Sequence, residues 1–408
     1  MIRDNYLDIN KLVQDKRIFK LFRAVEAHGG VLRFVGGAVR DALAGGEGFD
    51  LDLATDLEPD ELVEACNDNG IKTVPIGIKF GTVGVLVGDK VLEVTSLRRD
   101  VKSDGRRAEV EFTTDWEIDA SRRDLTINAV YADEKGNVFD YYDGISDLEK
   151  GIVRFIGSPA QRIKEDYLRI LRFFRFYAIY GKAPIDEKAL KACIEQREGL
   201  KNLSIERVRD ELAKILVTDR VIETLKIMYD NEILSYVFPK SENLDKLDFL
   251  IRLVERLKLP RDVMRRIFVL YAPDKEMAEY LAGRLKLSRK DRQNLVSWAE
   301  NQVDLKDYEN AKGLRRLVYC FGKGFARDKL LLQAALEMKE MPHIEDVLKN
   351  IETMAVPVFP LRGKDIMQQG VEDNRQIGKI LEKLEKIWIE SDFQLSRESL
   401  LAKISDKV

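Results

Sequence analysis

The stretch Phe34–Asp52 constrains this chain more than any other. An apolar run (Val31, Leu32, Phe34, Val35) predicts a strand, and Gly36-Gly37 ends it in a tight turn. Ala38–Ala44 then reads as a short helix stopped by Gly45-Gly46. Two glycines ahead of a helix let backbone N–H groups approach a phosphate, and the helix N-terminus favours negative charge. Arg40 falls on the first helical turn, on the side such a phosphate occupies. Phe49–Ala54 alternates as a second strand, so Asp50 and Asp52 project from one face of it. Paired carboxylates on one rigid face call for a cation between them. Oxygen-rich sites of this kind suit Mg²⁺ carrying substrate phosphates, and a two-metal site can clamp both oxygens of an in-line phosphoryl transfer. A Gly-Gly turn alone reads as structural and an Asp-x-Asp pair alone as a solvated strand end. Their pairing, one short helix apart, points to a metal-dependent nucleotide site.

A length of 408 residues implies roughly two to four domains. Lys+Arg 68 against Asp+Glu 71 leaves a net charge of −3, so a nucleic-acid partner would have to meet local basic faces. The cysteines (Cys66, Cys193, Cys320) are few and far apart, with neither zinc spacing nor a disulfide framework, which fits a reducing cytosol. Met1–Asn10 does not read as a signal peptide, and no apolar stretch is long enough for a membrane span. The expected location is therefore cytoplasmic, with no membrane and no protein partner implied. His28 and His343 have no histidine or cysteine neighbours, which excludes imidazole-based metal sites and His-dependent triads.

Helical spacing predicts one helix over Asp8–Gly29 and another from Glu58-Pro59 to about Asp68. Gly81–Val87 and Lys90–Leu97 read as a hairpin turning at Gly88-Asp89. Glu93 falls on its second strand, either as a third carboxylate facing Asp50 and Asp52 or as a plain polar-face residue. Arg98–Asp115, including Asp104, Gly105, Arg106 and Arg107, reads as a mobile charged loop, a solvated connection or a lid. Arg122-Arg123 leads into a predicted helix within Ser121–Ala129, where either arginine binds triphosphate or pairs with Asp124. Tyr141–Gly151 supplies a turn and short helix, and Val153–Ile156 reads as another strand.

From Ser158 onward helices take over. Pro159–Tyr180 is expected as one long helix carrying Asp166, Arg169, Arg172 and Arg175 at three-residue steps. Each step turns about −60°, so Asp166 and Arg169 address one flat object while all four cannot. Phe173, Phe174, Phe176, Tyr177 and Tyr180 read as core. Ile185–Arg197 and Ser204–Thr218 are further helices, and helical hairpins separated by prolines, Pro273 among them, fill the remainder. Arg362 and Lys364 open one of the last helices, as solvated residues or as a phosphate contact.

Together, Gly36-Gly37-Ala38-Val39-Arg40-Asp41, Asp50-Leu51-Asp52, Arg122-Arg123-Asp124-Leu125-Thr126-Ile127-Asn128-Ala129 and Glu165-Asp166-Tyr167-Leu168-Arg169-Ile170-Leu171-Arg172 resemble the class II tRNA nucleotidyltransferases. These are the CCA-adding enzymes and bacterial poly(A) polymerases of the polymerase-β-like superfamily. Close matching covers residues 31–215. The resemblance implies an α+β fold: a nucleotidyltransferase head with a mixed β-sheet flanked by helices (1–157), a helical neck with a nucleotide-recognition helix (158–218), and an all-α body and tail binding tRNA (219–408). By the same resemblance Asp50 and Asp52 are the catalytic Mg²⁺ ligands, and Gly37 and Arg40 bind the incoming triphosphate. Arg123 helps hold the nucleotide, Asp166 with Arg169 reads the base, and Arg172 and Arg175 match further nucleotide contacts.

The chemistry of that pair is consistent with the assignment. A carboxylate accepts and a guanidinium donates, which matches the amino donor beside a ring acceptor on both cytosine and adenine. Uracil and guanine reverse the pattern. Asp166 and Arg169 are thus expected to admit CTP and ATP and to exclude UTP and GTP without a template, with about 1–3 kcal/mol of discrimination for each pair. The implied reaction is attack of a tRNA 3′-hydroxyl on the α-phosphorus, giving C, C and A addition. A C-adding or A-adding relative and a poly(A) polymerase share the same motifs, and an inactive RNA-binding module is the alternative of another class. Three departures from the family stand out. Ala42–Phe49 lacks the basic segment many relatives carry there, Asn374-Arg375-Gln376-Ile377-Gly378 replaces a Gly-Pro helix start, and no His-Asp phosphohydrolase domain is present.

Overall fold

The computed structural model describes residues 6–13, 15–46, 50–103, 108–272 and 274–405. Phe49, Asp104, Gly105, Arg106, Arg107 and Pro273, which entered the sequence reading, lie outside them. The chain forms two compact units, Met1–Lys240 and Ser241–Val408.

The first unit begins with α1 (Ile9–Leu12) and α2 (Ile18–Ala27), followed by β1 (Leu32–Val35), α3 (Gly37–Leu43), β2 (Asp52–Thr55) and α4 (Pro59–Asp68). Strands β3 (Thr73–Gly77), β4 (Thr82–Val87) and β5 (Lys90–Ser96) come next, then the pair β6 (Arg98–Ser103) and β7 (Ala108–Phe112). After α5 (Trp116–Ser121), β8 (Val130–Ala132) and β9 (Val138–Asp140) complete the strands. Helices α6 (Gly144–Lys150), α7 (Pro159–Glu165), α8 (Leu168–Tyr180), α9 (Glu187–Gln196), α10 (Ile205–Leu216) and α11 (Val221–Asp230) close the unit.

Seven strands form a mixed sheet in the order β3-β4-β5-β2-β1-β8-β9. β2 lies antiparallel to β1 and parallel to β5, which sets Val35 opposite Asp52 and Asp52 opposite Glu93. Side chains alternate across a sheet. Phe34, Leu53 and Val94 therefore pack with Leu21, Val25 and Leu62 from α2 and α4. Val35 and Ala54 face the other way, into a smaller core with Leu97, Trp116 and Tyr131. Asp52 stands on that second face. Helix α4 starts where the sequence places it, because Pro59 fits the first turn and Glu61 accepts from the Glu58 amide at 2.9 Å.

Six local expectations are corrected. Asp8–Gly29 is two helices, because Asp15 accepts from the Arg17 amide and grips its guanidinium, turning the chain ahead of Ile18. The second strand begins at Asp52, so Asp50 precedes it. Arg98–Asp115 is a hairpin: Arg98 pairs with Phe112 and Arg99 with Glu111, the latter also by a 2.6 Å ion pair. The helix meant to follow Arg122-Arg123 instead precedes them, since α5 ends at Ser121 and only a 3₁₀ turn follows at Thr126–Asn128. Val153–Ile156 holds a single bridge, Phe155 to Leu125, for its backbone runs past the loop rather than along a strand.

The sixth concerns Pro159–Tyr180, which breaks at Asp166-Tyr167. Asp166 is extended (φ −156°, ψ 109°), its carboxylate accepts from the Leu168 amide at 3.1 Å, and α8 restarts there. The Tyr167 ring lies against Gly199, where a Cβ would come within 2.1 Å of it. The aromatic side chains Phe173, Phe174, Phe176 and Tyr177 of α8 are core, as expected, and Tyr180 is half-buried.

The second unit is helical throughout its described elements. Its long helix Ala311–Glu337 kinks at Gly322 (φ 85°). A core of Leu361, Ile366, Ile377, Leu384 and Trp388 organises its C-terminal part. No described helix is long and apolar enough to cross a membrane.

Candidate active site

Gly36 adopts φ 68° and ends β1, so α3 starts at Gly37 with the chain turned sharply away from the sheet. Two guanidinium groups flank this turn. Built Cβ atoms at Gly36 and Gly37 would lie 3.6 Å from Arg123 Nη1 and 3.6 Å from Arg40 Nη2 respectively. The absence of both side chains leaves that space between backbone amides and two cations.

Arg40 is buried and does not reach openly into solvent. Its Nη2 pairs with Asp41 at 2.6 Å, its Nη1 donates to Asn128, and its guanidinium lies 4.8 Å over the Phe176 ring of α8. Asn128 in turn donates to Asp124 at 3.0 Å, and Arg172 donates to the other oxygen of Asp124. Tyr180 donates to Asp41, and burial pushes its phenol up to about 12. The phosphate-type turn is thereby wired into α8 through Arg40, Asn128, Asp124 and Arg172.

Arg123 is aimed by a residue the sequence reading missed. Asp119 on α5 is fully buried and accepts from Arg122 at 2.7 Å, Arg123 at 3.1 Å and the Tyr131 hydroxyl at 2.7 Å. Burial alone would raise its carboxyl, but Arg123 and Arg122 outweigh that and hold it down at about 2. Asp124 behaves alike: burial is opposed by Arg172, and the carboxyl sits at about 2. The signal for Asp119 was present as acid–base pairs three and four residues apart on a helix.

Across the turn, Asp52 is part-exposed at the N-terminal end of its strand, with Glu93 beside it in strand register. Partial burial, then Glu93, push the Asp52 carboxyl above its usual range, with Asp50 adding to the effect and Arg123 opposing it. Among the described residues no group of three or more acidic, histidine or cysteine side chains closes around an ion by itself. The donors are hard oxygens carrying unrelieved negative charge, which fits a divalent ion whose shell is completed by phosphate oxygens and water.

Asp166 and Arg169 do not bond to each other. Asp166 accepts from Arg207 of α10 at 2.6 Å, whereas Arg169 donates to Glu165 and to the Arg162 and Arg122 carbonyls. Both side chains are thus oriented by separate partners beside the same helix break. Arg175 donates to the buried Glu211 at 2.9 Å and stacks 4.4 Å over Phe176. Burial lowers the Arg175 guanidinium and Glu211 opposes the shift.

A mixed sheet bearing Asp52 beside a Gly-Gly turn flanked by two arginines defines a nucleotidyltransferase head. Residues 32–154 match the family described as Poly A polymerase head domain, and 184–244 the family described as probable RNA and SrmB-binding site of polymerase A. CCA tRNA nucleotidyltransferase 1, mitochondrial, of Mus musculus is 35% identical over 407 residues, spanning 95% of this chain and 89% of that protein. A CCA-adding enzyme of Streptococcus pneumoniae is 31% identical over 381 residues, spanning 92% of this chain and 93% of that protein. The Bacillus stearothermophilus CCA-adding enzyme, solved in complex with CTP, shares the fold with a TM-score of 0.75 at 22% identity, over 96% of this chain and 97% of its own. The Thermotoga maritima CCA-adding enzyme, solved with tRNA-CCA, gives 0.68 at 20% identity, over 99% of both chains. The chain belongs to the CCA-adding tRNA nucleotidyltransferase family.

Proposed function

We propose that this protein adds C, C and A to the 3′ end of tRNA from CTP and ATP, without a template. The observation that carries the reading is the joint placement of Arg40 and Arg123 against the Gly36-Gly37 turn with Asp52 on the adjoining strand. Gly36 and Gly37 leave room for triphosphate oxygens, Arg40 and Arg123 face them, and the Asn128–Asp124–Arg172 chain keeps Arg40 in place. Asp50 and Asp52 would hold Mg²⁺, which when bound lowers the pKa of the attacking hydroxyl and neutralises charge on the leaving pyrophosphate. Asp166 and Arg169 read the base, Arg207 and Glu165 fix their orientation, and Arg172 and Arg175 line the same helix. Residues 1–157, 158–218 and 219–408 serve as catalytic head, neck and tRNA-binding body with tail. Buried, unpaired Cys66 and Cys193 suit a reducing compartment, and we assign the activity to the cytoplasm.

Asp52→Asn tests the reading. Incorporation of CTP and ATP is expected to fall more than a thousandfold with the fold retained, and residual turnover above that level counts against Asp52 as an essential ligand.

A further inference from the structure

The head carries a second concave site on the opposite face of its sheet from Asp52. A cavity of about 660 Å³ lies where α2 meets the α4–β3 junction and the β4–β5 turn, and Lys16, Arg17, Lys20, Arg23 and Lys72 line it. No acidic side chain belongs to this lining among the described residues. Lys16, Lys20, Arg23 and Lys72 are exposed and form no ion pair among the described residues. Arg17 is fixed instead: Asp15 holds its guanidinium at 2.7 Å, over Gly88, where a built Cβ would lie 2.1 Å from Arg17 Nη2. The floor is apolar, from Ile71, Leu86 and Val87. In a chain of net charge −3, four cations without an ion pair, beside an Arg17 neutralised by Asp15 and over an apolar floor, make a local excess of positive charge. Its volume falls within the range of about 300–1,000 Å³ usual for small-molecule sites.

We propose that this cavity is a second, non-catalytic site for a nucleoside triphosphate, its base on the apolar floor and its phosphates among the cations. The cavity shares no residue with the Asp52–Arg123 site. Equilibrium dialysis of labelled ATP with the full chain tests it. Two ATP molecules per wild-type chain are expected, and Lys20→Glu/Lys72→Glu is expected to remove one. Lys20→Ala/Lys72→Ala, a milder change that guards against misfolding, is expected to weaken that one at least tenfold. Binding at the cavity is expected to survive in Arg123→Ala, so failure of the catalytic reading removes a different molecule from the count. ATP stoichiometry unchanged by both lysine double variants overturns the proposal. So does a loss of tRNA binding in those variants with ATP binding intact, which assigns the cations to an RNA backbone.

Discussion

Asp52 and Glu93 stand opposite each other on neighbouring parallel strands, with both carboxylates on the sheet face turned away from α2 and α4. Burial and then Glu93 raise the folded-state pKa of Asp52. A carboxyl raised on folding contributes stability below its unfolded pKa and loses it as pH rises through the folded value. At neutral pH the ionised Asp52 therefore opposes folding. Asp52→Asn is predicted to match or exceed the wild-type Tm at pH 7, with the gain fading on acidification, and Mg²⁺ is predicted to raise Tm only in the wild type. Calorimetry across pH checks this, and a lower Tm in the variant contradicts it.

Asp119 satisfies Arg122, Arg123 and Tyr131 at once from a fully buried position. Its removal leaves those donors without their acceptor. Asp119→Ala is predicted to cost about 3–5 kcal/mol in urea unfolding and to weaken nucleotide binding through Arg123. An effect below about 1 kcal/mol would show that Arg123 is placed by something else.

The depressed carboxyls of Asp119 and Asp124 give a second pH signature, of opposite sign to that of Asp52. Their contribution is fully present above the ordinary carboxylate range and is lost as pH falls toward about 2. Each is worth on the order of 2 kcal/mol. Stability measured by denaturant titration should drop steeply below pH about 4, and Asp124→Asn should flatten that drop.

Arg207 holds Asp166 at 2.6 Å. Arg207→Ala is predicted to let Asp166 turn away, raising KM for CTP and ATP about tenfold and narrowing their advantage over UTP and GTP. Asp166→Ala should relax base choice further. Single-nucleotide incorporation with all four triphosphates measures both, and unchanged rejection of UTP and GTP in Asp166→Ala removes the base-reading role.

Legibility in the sequence followed the range of the interactions involved. The Gly36-Gly37 turn, the β4–β5 hairpin and the α4 start are written in local residues, so the sequence showed them. The β6–β7 hairpin was hidden because charged residues such as the exposed Arg99 and Glu111, which pair across it, read like a loop. The break at Asp166 was hidden because residues on both sides favour a helix, whereas its causes are a carboxylate capping Leu168 and a ring seated on distant Gly199. Strands β8 and β9 are three residues each, too short to show an alternating pattern, and β8 takes its second partner from distant β1. Asp119 and Asn128 acquire their meaning only when α5 and the Thr126–Asn128 turn bring them against Tyr131 and Arg40.

The most direct measurement is product length on a tRNA lacking its 3′ CCA, with labelled CTP and ATP supplied separately and together in Mg²⁺. Two added residues with CTP alone and three with the mixture are predicted. Addition of C alone in the mixture, of A alone, or of a long A tail would contradict CCA synthesis, and no incorporation would contradict catalysis by this chain.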